Sequence, residues 1–550
     1  MPCLLLLTPQ QDTNQGPTTA APTGMSSFAV LLGTAAATAA TPIDCSTAVV
    51  GGGWAGVYAA WRLAIDSAAV KPADVCLFEA RDAVGGRTYS VDVSVPTDDA
   101  TVPLTIDIGA YRFGKQMHLP ADLILNVFNL SVVCYEPDCK PDPEFNTVLY
   151  RIVDSDGHNA GYATPVRAML AQLVAAGVRV FYGHELTGVY DGTAAAGVKW
   201  QPLEAVAEGG GATARGSAAP ASLLHFAGGA VARASDVLLN LGRPNIERLD
   251  PASVLFPPAP RGRTPLATTI LRNCTPCQAG GGGVPAESHM DVKVYAVYDD
   301  PWWLTKLGLQ QGAFVDVSTS PPLVGRYHDG PVHRDGSGKP VGPGALEAVY
   351  TFSLMHPQIR WYVPFVRDLA GEPLTITTDS ALVEPLHAKL MAFHTAAFAA
   401  KGLNASQVPP PKQVVLGVWT TDKLALLPSP TSSNMHAMIK SDRCPEESCL
   451  AGVPNPNPNP NPNPNDRCPE ESCLAGVTPT QYNSIISTPN PERRIHLANN
   501  DYTYTGFHDV PCCWAEQSLR SVERTLHTAW ALPRPSWLDA AYWQQVVSNA

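Results

Sequence analysis

The sequence predicts an α/β chain of more than one domain, on three observations. At 550 residues it exceeds the size at which a single hydrophobic core stops growing. An apolar strand, a glycine-rich turn, an amphipathic helix and a second strand follow one another between Thr47 and Glu79. Further on, short β-branched or aromatic runs alternate with stretches whose apolar residues recur at three- and four-residue steps.

Composition narrows the class. Hydrophobic residues make up 45% of the chain and charged residues 16%, while 52 prolines and 44 glycines imply long uncharged loops around a globular core. With 37 basic against 49 acidic side chains the net charge is −12, which argues against nucleic acid or an anionic membrane surface as partner and favours a small molecule. No apolar run of transmembrane length follows the amino terminus, so no membrane span is expected.

Residues 1–43 carry Asp12 as their one acidic side chain and no Lys or Arg, and they read as a targeting or disordered segment. Ser26–Ala40 resembles the apolar region of a signal peptide, though the basic residues that normally precede it are missing. Setting Cys3 aside leaves twelve cysteines, several close in sequence: Cys134/Cys139, Cys274/Cys277, Cys444/Cys449, Cys468/Cys473 and Cys512/Cys513. With the N-x-S/T sites at Asn129, Asn273 and Asn404, they point to a secreted, disulfide-bonded glycoprotein, with a plastid as the alternative. No C-x2-C pair recurs at zinc-ribbon spacing, so no metal is expected. The unit DRCPEESCLAGV stands at 442–453 and again at 466–477, joined by an Asn-Pro run. Alternating proline removes backbone donors, so 436–480 reads as an inserted surface loop, with a disulfide knot or metal site at each Cys-x4-Cys as the lesser alternative.

Helices are expected at Trp54–Ser67, Pro165–Ala176, Leu382–Ala400 and Glu516–Trp530, and strands at Val178–Tyr182, Val237–Asn240, Val292–Tyr298 and Val414–Trp419. Gly209–Ala219 and Asn273–Gly283 read as loops. No H-E-x-x-H helix or G-x-S-x-G elbow occurs. Asp335–Pro340 lacks the first glycine of a phosphate loop and has proline where a Ser/Thr would hold magnesium, which removes hydrolase and ATPase readings.

The segment Thr47–Leu63 carries the G-x-G-x-x-G pattern with Gly51, Gly53 and Gly56. The first glycine permits a tight turn, the second lets backbone approach a pyrophosphate, and the third lets helix and strand pack closely. Trp54 and Ala55 open the helix whose amino terminus faces the phosphates. The second strand, Val75–Phe78, ends in Glu79, a carboxylate placed to accept hydrogen bonds from ribose hydroxyls. Strand, glycines, helix, strand and acid together predict a Rossmann-like dinucleotide site, NAD or FAD.

The following residues, Glu79-Ala-Arg-Asp-Ala-Val-Gly-Gly-Arg-Thr88, resemble the element that follows the second strand in the flavin amine oxidase family, which includes monoamine, polyamine and L-amino-acid oxidases. Glu79, Ala80, Gly85, Gly86 and Arg87 match it, while Ala83 replaces its usual first arginine. The resemblance implies FAD, with Arg87 against the pyrophosphate. Ile106–Phe113 resembles the D-x-G-A element whose backbone borders the flavin ring at Gly109, Ala110 and Tyr111. Amino-acid oxidases of the family have an arginine where this chain has Arg112, and there it pairs with the substrate carboxylate; a structural ion pair is the other reading. Lys293, in the strand before Pro301-Trp-Trp303, stands where the family places the lysine that holds a water beside the flavin.

Nearer the carboxy end, Arg494–Asp501 and Cys513–Ser518 resemble the family's last strand and helix. Asp501 takes the acidic position near the ribityl chain, Trp514 the aromatic wall, and Glu516 and Ser518 the helix start near the flavin carbonyls. Asn499, Cys513 and Gln517 replace glycines of the pattern. Leu186 corresponds to the backbone position that meets adenine.

The resemblance implies a discontinuous FAD-binding Rossmann-like domain over 44–115, 176–265 and 481–550. It implies an α+β substrate domain with a mixed sheet over 116–175 and 266–435. The implied reaction oxidises a CH–NH2 group of an amino acid or amine to an imine, with dioxygen as acceptor and hydrogen peroxide and ammonia as products. An L-amino acid is the first substrate expectation and a polyamine or monoamine the second. A flavin dehydrogenase with another acceptor, or a non-catalytic binding protein on the same fold, are the alternatives; a homo-oligomer is compatible with all of them.

Overall fold

The computed structural model describes residues 42–97, 100–136, 138–142, 146–192, 221–256, 267, 271, 290–351, 359–366, 374–420, 484–499 and 515–548. The amino-terminal segment, the Gly209–Ala219 and Asn273–Gly283 loops and the repeated Cys-containing insertion lie outside them.

Strand β1 (Ile43–Val50) runs into Gly51, helix α1 (Trp54–Trp61) packs back on it, and β2 (Val75–Phe78) pairs with β1 in parallel. β2 pairs in parallel with β8 (Arg179–Phe181), β1 with β11 (Val231–Leu239), and β11 with β19 (Ile495–Leu497). The antiparallel strands β9 (Leu186–Asp191) and β10 (Ser222–Phe226) extend the same sheet beside the first half of β11. The order β8-β2-β1-β11 is that of a dinucleotide-binding sheet. Three separated stretches of chain build it, and helix α4 (Arg243–Arg248) follows its β11.

All eight residues of α1 are buried. The small and apolar run WAGVYAAW suits a helix enclosed on every side, and it packs against α3 (Thr164–Ala176) and α7 (Ala515–Trp530). Where α1 gives way to a wider turn at Arg62–Asp66, the Arg62 side chain enters the core. Its Nε donates to Glu523 Oε1 on α7 at 2.7 Å, and Tyr58 Oη donates to the same oxygen at 2.5 Å. A buried charge needs such a partner.

The second sheet has the order β13-β14-β16-β12-β18-β17, formed by Ala313–Asp316, Leu323–Arg326, Pro340–Thr351, Met290–Tyr298, Gln413–Thr420 and Leu374–Thr377, with β15 (Val332–Arg334) also on β16. Every pairing in it is antiparallel. The mixed sheet expected here is instead the first one. Short connections such as that between β13 and β14 allow only the antiparallel arrangement. Short helix α5 (Trp302–Thr305) follows β12.

Period-two alternation divides β12 between two faces. Val292, Val294, Ala296 and Tyr298 pack with Leu382, Leu386 and Leu390 of α6 (Ser380–Ala400). Tyr295 and Val297 face the hairpin of β3 (Ser90–Pro96) and β4 (Thr101–Asp107), against Val93, Val95, Leu104 and Ile106. Lys293 falls on that second face. A small third sheet, β5 (Phe113–Gly114), β7 (Leu149–Ile152) and β6 (Val132–Cys134), lies beyond the hairpin, before helix α3. Helices α2 (His118–Asp122) and α8 (Ala540–Trp543) meet near α7.

Two disulfides occur among the described residues. Cys134–Cys139 is one of the close pairs; Cys45–Cys76 links the neighbouring strands β1 and β2, 31 residues apart. The other close pairs lie outside the described residues.

Candidate active site

The glycine turn is shaped by contacts that exclude any larger residue. Gly51 has φ +98°, and a Cβ on Gly56 would lie 1.9 Å from the Gly51 carbonyl oxygen. Helix and strand can approach this closely only with glycine at both positions. Gly52 N–H donates to Glu79 Oε2 at 2.6 Å and Arg81 N–H to Glu79 Oε1 at 2.9 Å, so the acid at the end of β2 is fixed beside the turn. Burial holds the Glu79 carboxyl above its ordinary range, against these two backbone donors.

The Gly-Gly-Arg turn closes on the first one. Gly85 N–H donates to the Gly52 carbonyl at 2.8 Å, Gly53 bridges Gly85, and a Cβ on Gly86, at φ +57°, would lie 3.1 Å from Gly53 Cα. One residue on, the Arg87 carbonyl accepts from Ala110 N–H at 2.9 Å, and a Cβ on Gly109 would lie 2.0 Å from it. Backbone contacts therefore run without a break from the dinucleotide turn through Arg87 to Gly109, Ala110 and Tyr111.

Asp107 anchors this stretch. Its carboxylate accepts from Tyr162 N–H at 2.9 Å, Asn159 Nδ2 at 3.1 Å and the Ser90 hydroxyl, and burial pushes its carboxyl up against them. Its main-chain carbonyl accepts from Lys293 Nζ at 3.0 Å. The ammonium lies 3.9 Å from the Tyr111 ring centroid and 4.7 Å from that of Tyr350, and is 2% exposed. Aromatic faces and one carbonyl replace water around the charge, and burial lowers the Lys293 pKa.

A bulge between β12 and β16 completes the cage. Val294 pairs with Val349 but Tyr295 with Glu347, so β16 carries an extra residue at Ala348. The offset brings both Tyr350 and Glu347 to the face of Lys293 and Tyr295. Opposite, the Ile108 side chain packs on Gly417, the register partner of Lys293, where a Cβ would meet Ile108 Cγ2 at 2.2 Å.

Arg112 is 2% exposed. Its Nη1 donates to Asp142 Oδ2 at 2.8 Å, and its guanidinium lies 4.9 Å from the Tyr135 ring centroid and 5.0 Å from that of Tyr111. A protein carboxylate thus takes part of the fork that the resemblance assigns to a substrate.

Among the other expected residues, Trp54 and Ala55 are buried at the start of α1, with Trp54 edge-on to Tyr162. Leu186 begins β9. The preceding segment joins the end of β2 through His184 N–H to the Glu79 carbonyl at 2.9 Å and Gly183 N–H to the Arg81 carbonyl at 3.1 Å, which brings Leu186 to the same end of the sheet. Glu516 and Ser518 open α7. The Glu516 carboxylate accepts from Leu119 N–H at 2.9 Å and Arg520 Nε at 2.8 Å, and from Tyr542 Oη, so it binds α7 to α2 and α8. Burial pushes its pKa up to about 7. Asp501 and Trp514 lie outside the described residues.

Sequence reasoning overlooked Asn240, Tyr295, Asp329, Glu347 and Tyr350. Asn240, at the end of β11, donates to the Ala498 carbonyl beyond β19, and its Oδ1 is 3.2 Å from where a Gly53 Cβ would stand. A polar residue closing an apolar parallel strand was the available signal for it. Nothing local marks the other four.

A profile of the NAD(P)-binding Rossmann-like domain matches residues 49–118, the stretch from β1 through the glycine turn to α2. This is a dinucleotide-binding fold. No curated protein matches the sequence. Solved structures to which the chain is similar include a cofactor-binding redesign of putrescine oxidase, at 13% identity and TM-score 0.41, covering 89% of this chain and 100% of that one. Wild-type putrescine oxidase bound to putrescine is similar at 13% identity and TM-score 0.40, covering 90% of this chain and 100% of that one.

Proposed function

We infer that the protein is an FAD-dependent oxidoreductase that oxidises the CH–NH2 group of an amine or amino acid. The observation that carries the reading is the caged Lys293 ammonium on the Asp107 carbonyl, at the end of a stretch hydrogen-bonded to the dinucleotide turn. NAD binding alone explains the turn but gives no task to a desolvated lysine beside Gly109–Tyr111.

The residues present fit FAD: the glycines leave no side chain at the turn where a pyrophosphate would lie, α1 begins directly after it, and Glu79 ends the second strand beside it, where its carboxylate could accept from ribose hydroxyls. FAD held there would supply a two-electron acceptor for the hydride of the amine-bearing carbon; water would hydrolyse the resulting imine to ammonia and a carbonyl compound, and dioxygen as final acceptor would leave as hydrogen peroxide. The chain's own part is orientation and proton control. Asp107, held by three donors, fixes the carbonyl that positions Lys293. A lysine whose pKa burial lowers gives up its proton more readily than an exposed one, and its ammonium can orient a water. The Tyr111 and Tyr350 rings keep bulk water away from it.

Two substrate classes have support. Arg112 favours an L-amino acid through the family resemblance; its ion pair with Asp142, which balances the guanidinium charge within the protein, favours an amine without a carboxylate. We place the protein in the secretory route on the two disulfides among its described residues and the exposed Asn404 of its Asn-Ala-Ser site. The test of function is an absorbance spectrum followed by anaerobic addition of L-amino acids, polyamines and monoamines. Bleaching of the flavin band by one class, with peroxide formed once oxygen is readmitted, is expected. A protein that binds no flavin, or a flavin that none of them bleaches, would overturn the reading; bleaching without peroxide would assign another electron acceptor.

A further inference from the structure

Behind Lys293 lies a carboxyl pair that the reaction as outlined does not use. Asp329, in the turn after β14, is 7% exposed, and Glu347, on β16, is fully buried. The Tyr295 hydroxyl joins the two, with one carboxylate oxygen of each within 3.3 Å of it. Tyr135 Oη donates to Asp329 Oδ1 at 2.6 Å. Tyr295 Oη lies 3.1 Å from Asp329 Oδ2, 3.3 Å from Glu347 Oε1 and 3.3 Å from the Asp107 carbonyl, and Lys293 Nζ lies 3.4 Å from it.

Counting protons exposes a deficit. The single Tyr295 hydroxyl proton faces three acceptors, and Glu347 Oε2 has no hydrogen-bond partner among the described residues. Neither carboxyl makes an ion pair with Lys or Arg among those residues; Lys293, Arg326 and Arg151 act on them through space, and Lys293 also feels Asp107 on the negative side and Arg112 on the positive. Two ionised carboxylates that flank one hydroxyl in a dry site repel strongly, and one shared proton removes the repulsion and supplies the missing donor.

We propose that Asp329 and Glu347 share one proton and form a buried reserve that, through the Tyr295 hydroxyl, sets the charge on Lys293. Burial and the neighbouring Asp329 push the Glu347 carboxyl well up, while Asp329 is held low, as one proton between two carboxyls requires. The pair is then a monoanion. It gives Lys293 one counter-charge and can return its proton along Glu347, Tyr295 and Lys293 with no change in atoms other than the position of that proton. Asp329 and Glu347 are positioning residues, acting through Tyr295. The shared proton is independent of the function inferred above; its service to Lys293 chemistry rests on that reading.

Infrared spectroscopy of the resting protein at neutral pH, in a Glu516→Gln background that removes the other buried carboxyl protonated in this range, tests the pair without turnover. A buried carboxylic-acid C=O band is expected. It should disappear both in Glu347→Gln, which leaves Asp329 to ionise alone, and in Asp329→Asn, which leaves Glu347 to ionise alone. Tyr295→Phe, which retains both carboxyls, should shift the band without removing it. No band while both Asp329 and Glu347 are present would overturn the proposal, and so would a band that survives Asp329→Asn. For the link to Lys293, the pH profile of turnover should keep its acid limb in either single variant. In the double variant, where the pair's negative charge is gone, the limb should move to lower pH by about one unit or more. A limb that moves in Glu347→Gln alone would mean two ionised carboxylates and overturn the sharing. Absence of any turnover would count against the function, while the infrared result still decides the pair.

Discussion

Lys293 Nζ and the main-chain carbonyl of Asp107, 3.0 Å apart, join the central strand of the second sheet to the stretch that is hydrogen-bonded to the dinucleotide turn. Replacing the ammonium by an apolar side chain of similar length should therefore leave the cradle intact and disturb chemistry. In Lys293→Met, flavin content and melting temperature should stay near wild type while reoxidation by dioxygen slows by about two orders of magnitude or more, the range of a positioned proton-transfer group. Rapid mixing of reduced protein with oxygen measures it; an unchanged rate would remove Lys293 from the reaction.

Gly56→Ala places a methyl group 1.9 Å from the Gly51 carbonyl oxygen. Backbone cannot yield there without separating α1 from β1. A loss of about 3 kcal/mol is expected, at the upper end of overpacking costs, together with loss of bound flavin on dialysis. Thermal unfolding and the ratio of flavin to protein absorbance check both; a variant that keeps its flavin would show that the turn does not hold the cofactor.

Glu523 is the buried counter-ion of Arg62, at 2.7 Å, and accepts from Tyr58 as well. Glu523→Ala leaves Arg62 in the core with Asp66 at its rim as counter-charge and the Pro533 carbonyl as a further acceptor, and should cost roughly 3–5 kcal/mol in urea unfolding. Arg62→Met together with Glu523→Leu should recover most of that loss, because two apolar groups need no counter-charge.

Glu516 gives stability a pH dependence. Its carboxyl is pushed by burial from 4.5 to about 7, so the folded protein holds a proton that the unfolded chain releases. The contribution is complete below the unfolded value and is lost as pH rises through about 7, which amounts to roughly 3 kcal/mol. Glu516→Gln mimics the protonated form. The difference in unfolding free energy between wild type and Glu516→Gln should therefore change by that amount from pH 4.5 to pH 8; a constant difference would contradict the assignment.

Legibility followed how local the signal was. The βαβ unit, the Gly-Gly-Arg turn and the strand that bears Lys293 could be read because each places its residues by turn chemistry or period-two alternation within a few positions. The four long helices were readable for the same reason. The β3–β4 hairpin and β16 were not: Pro96, Pro103, Pro340 and Pro343 punctuate them as loops, and only neighbouring strands make them sheet. Asp329 sits in a polar Arg-Tyr-His-Asp-Gly-Pro turn that reads as surface; the fold buries it beneath Tyr135 and Tyr295. The Ala348 bulge, which turns Glu347 and Tyr350 towards Lys293, is a property of pairing and has no trace in one strand alone. Arg112 was recognised as a charged position of consequence, but its partner Asp142 lies 30 residues away in a loop.

The strand that completes the parallel sheet, β19, pairs with a strand made much earlier, and α7, which covers α1, is made later still. On the ribosome the dinucleotide half must wait, its central helix uncovered, while the second sheet is synthesised and can fold. A nascent chain halted before residue 495 would lack this closure. The cradle at the start of the chain is thus closed by one of the last parts of the fold to be made.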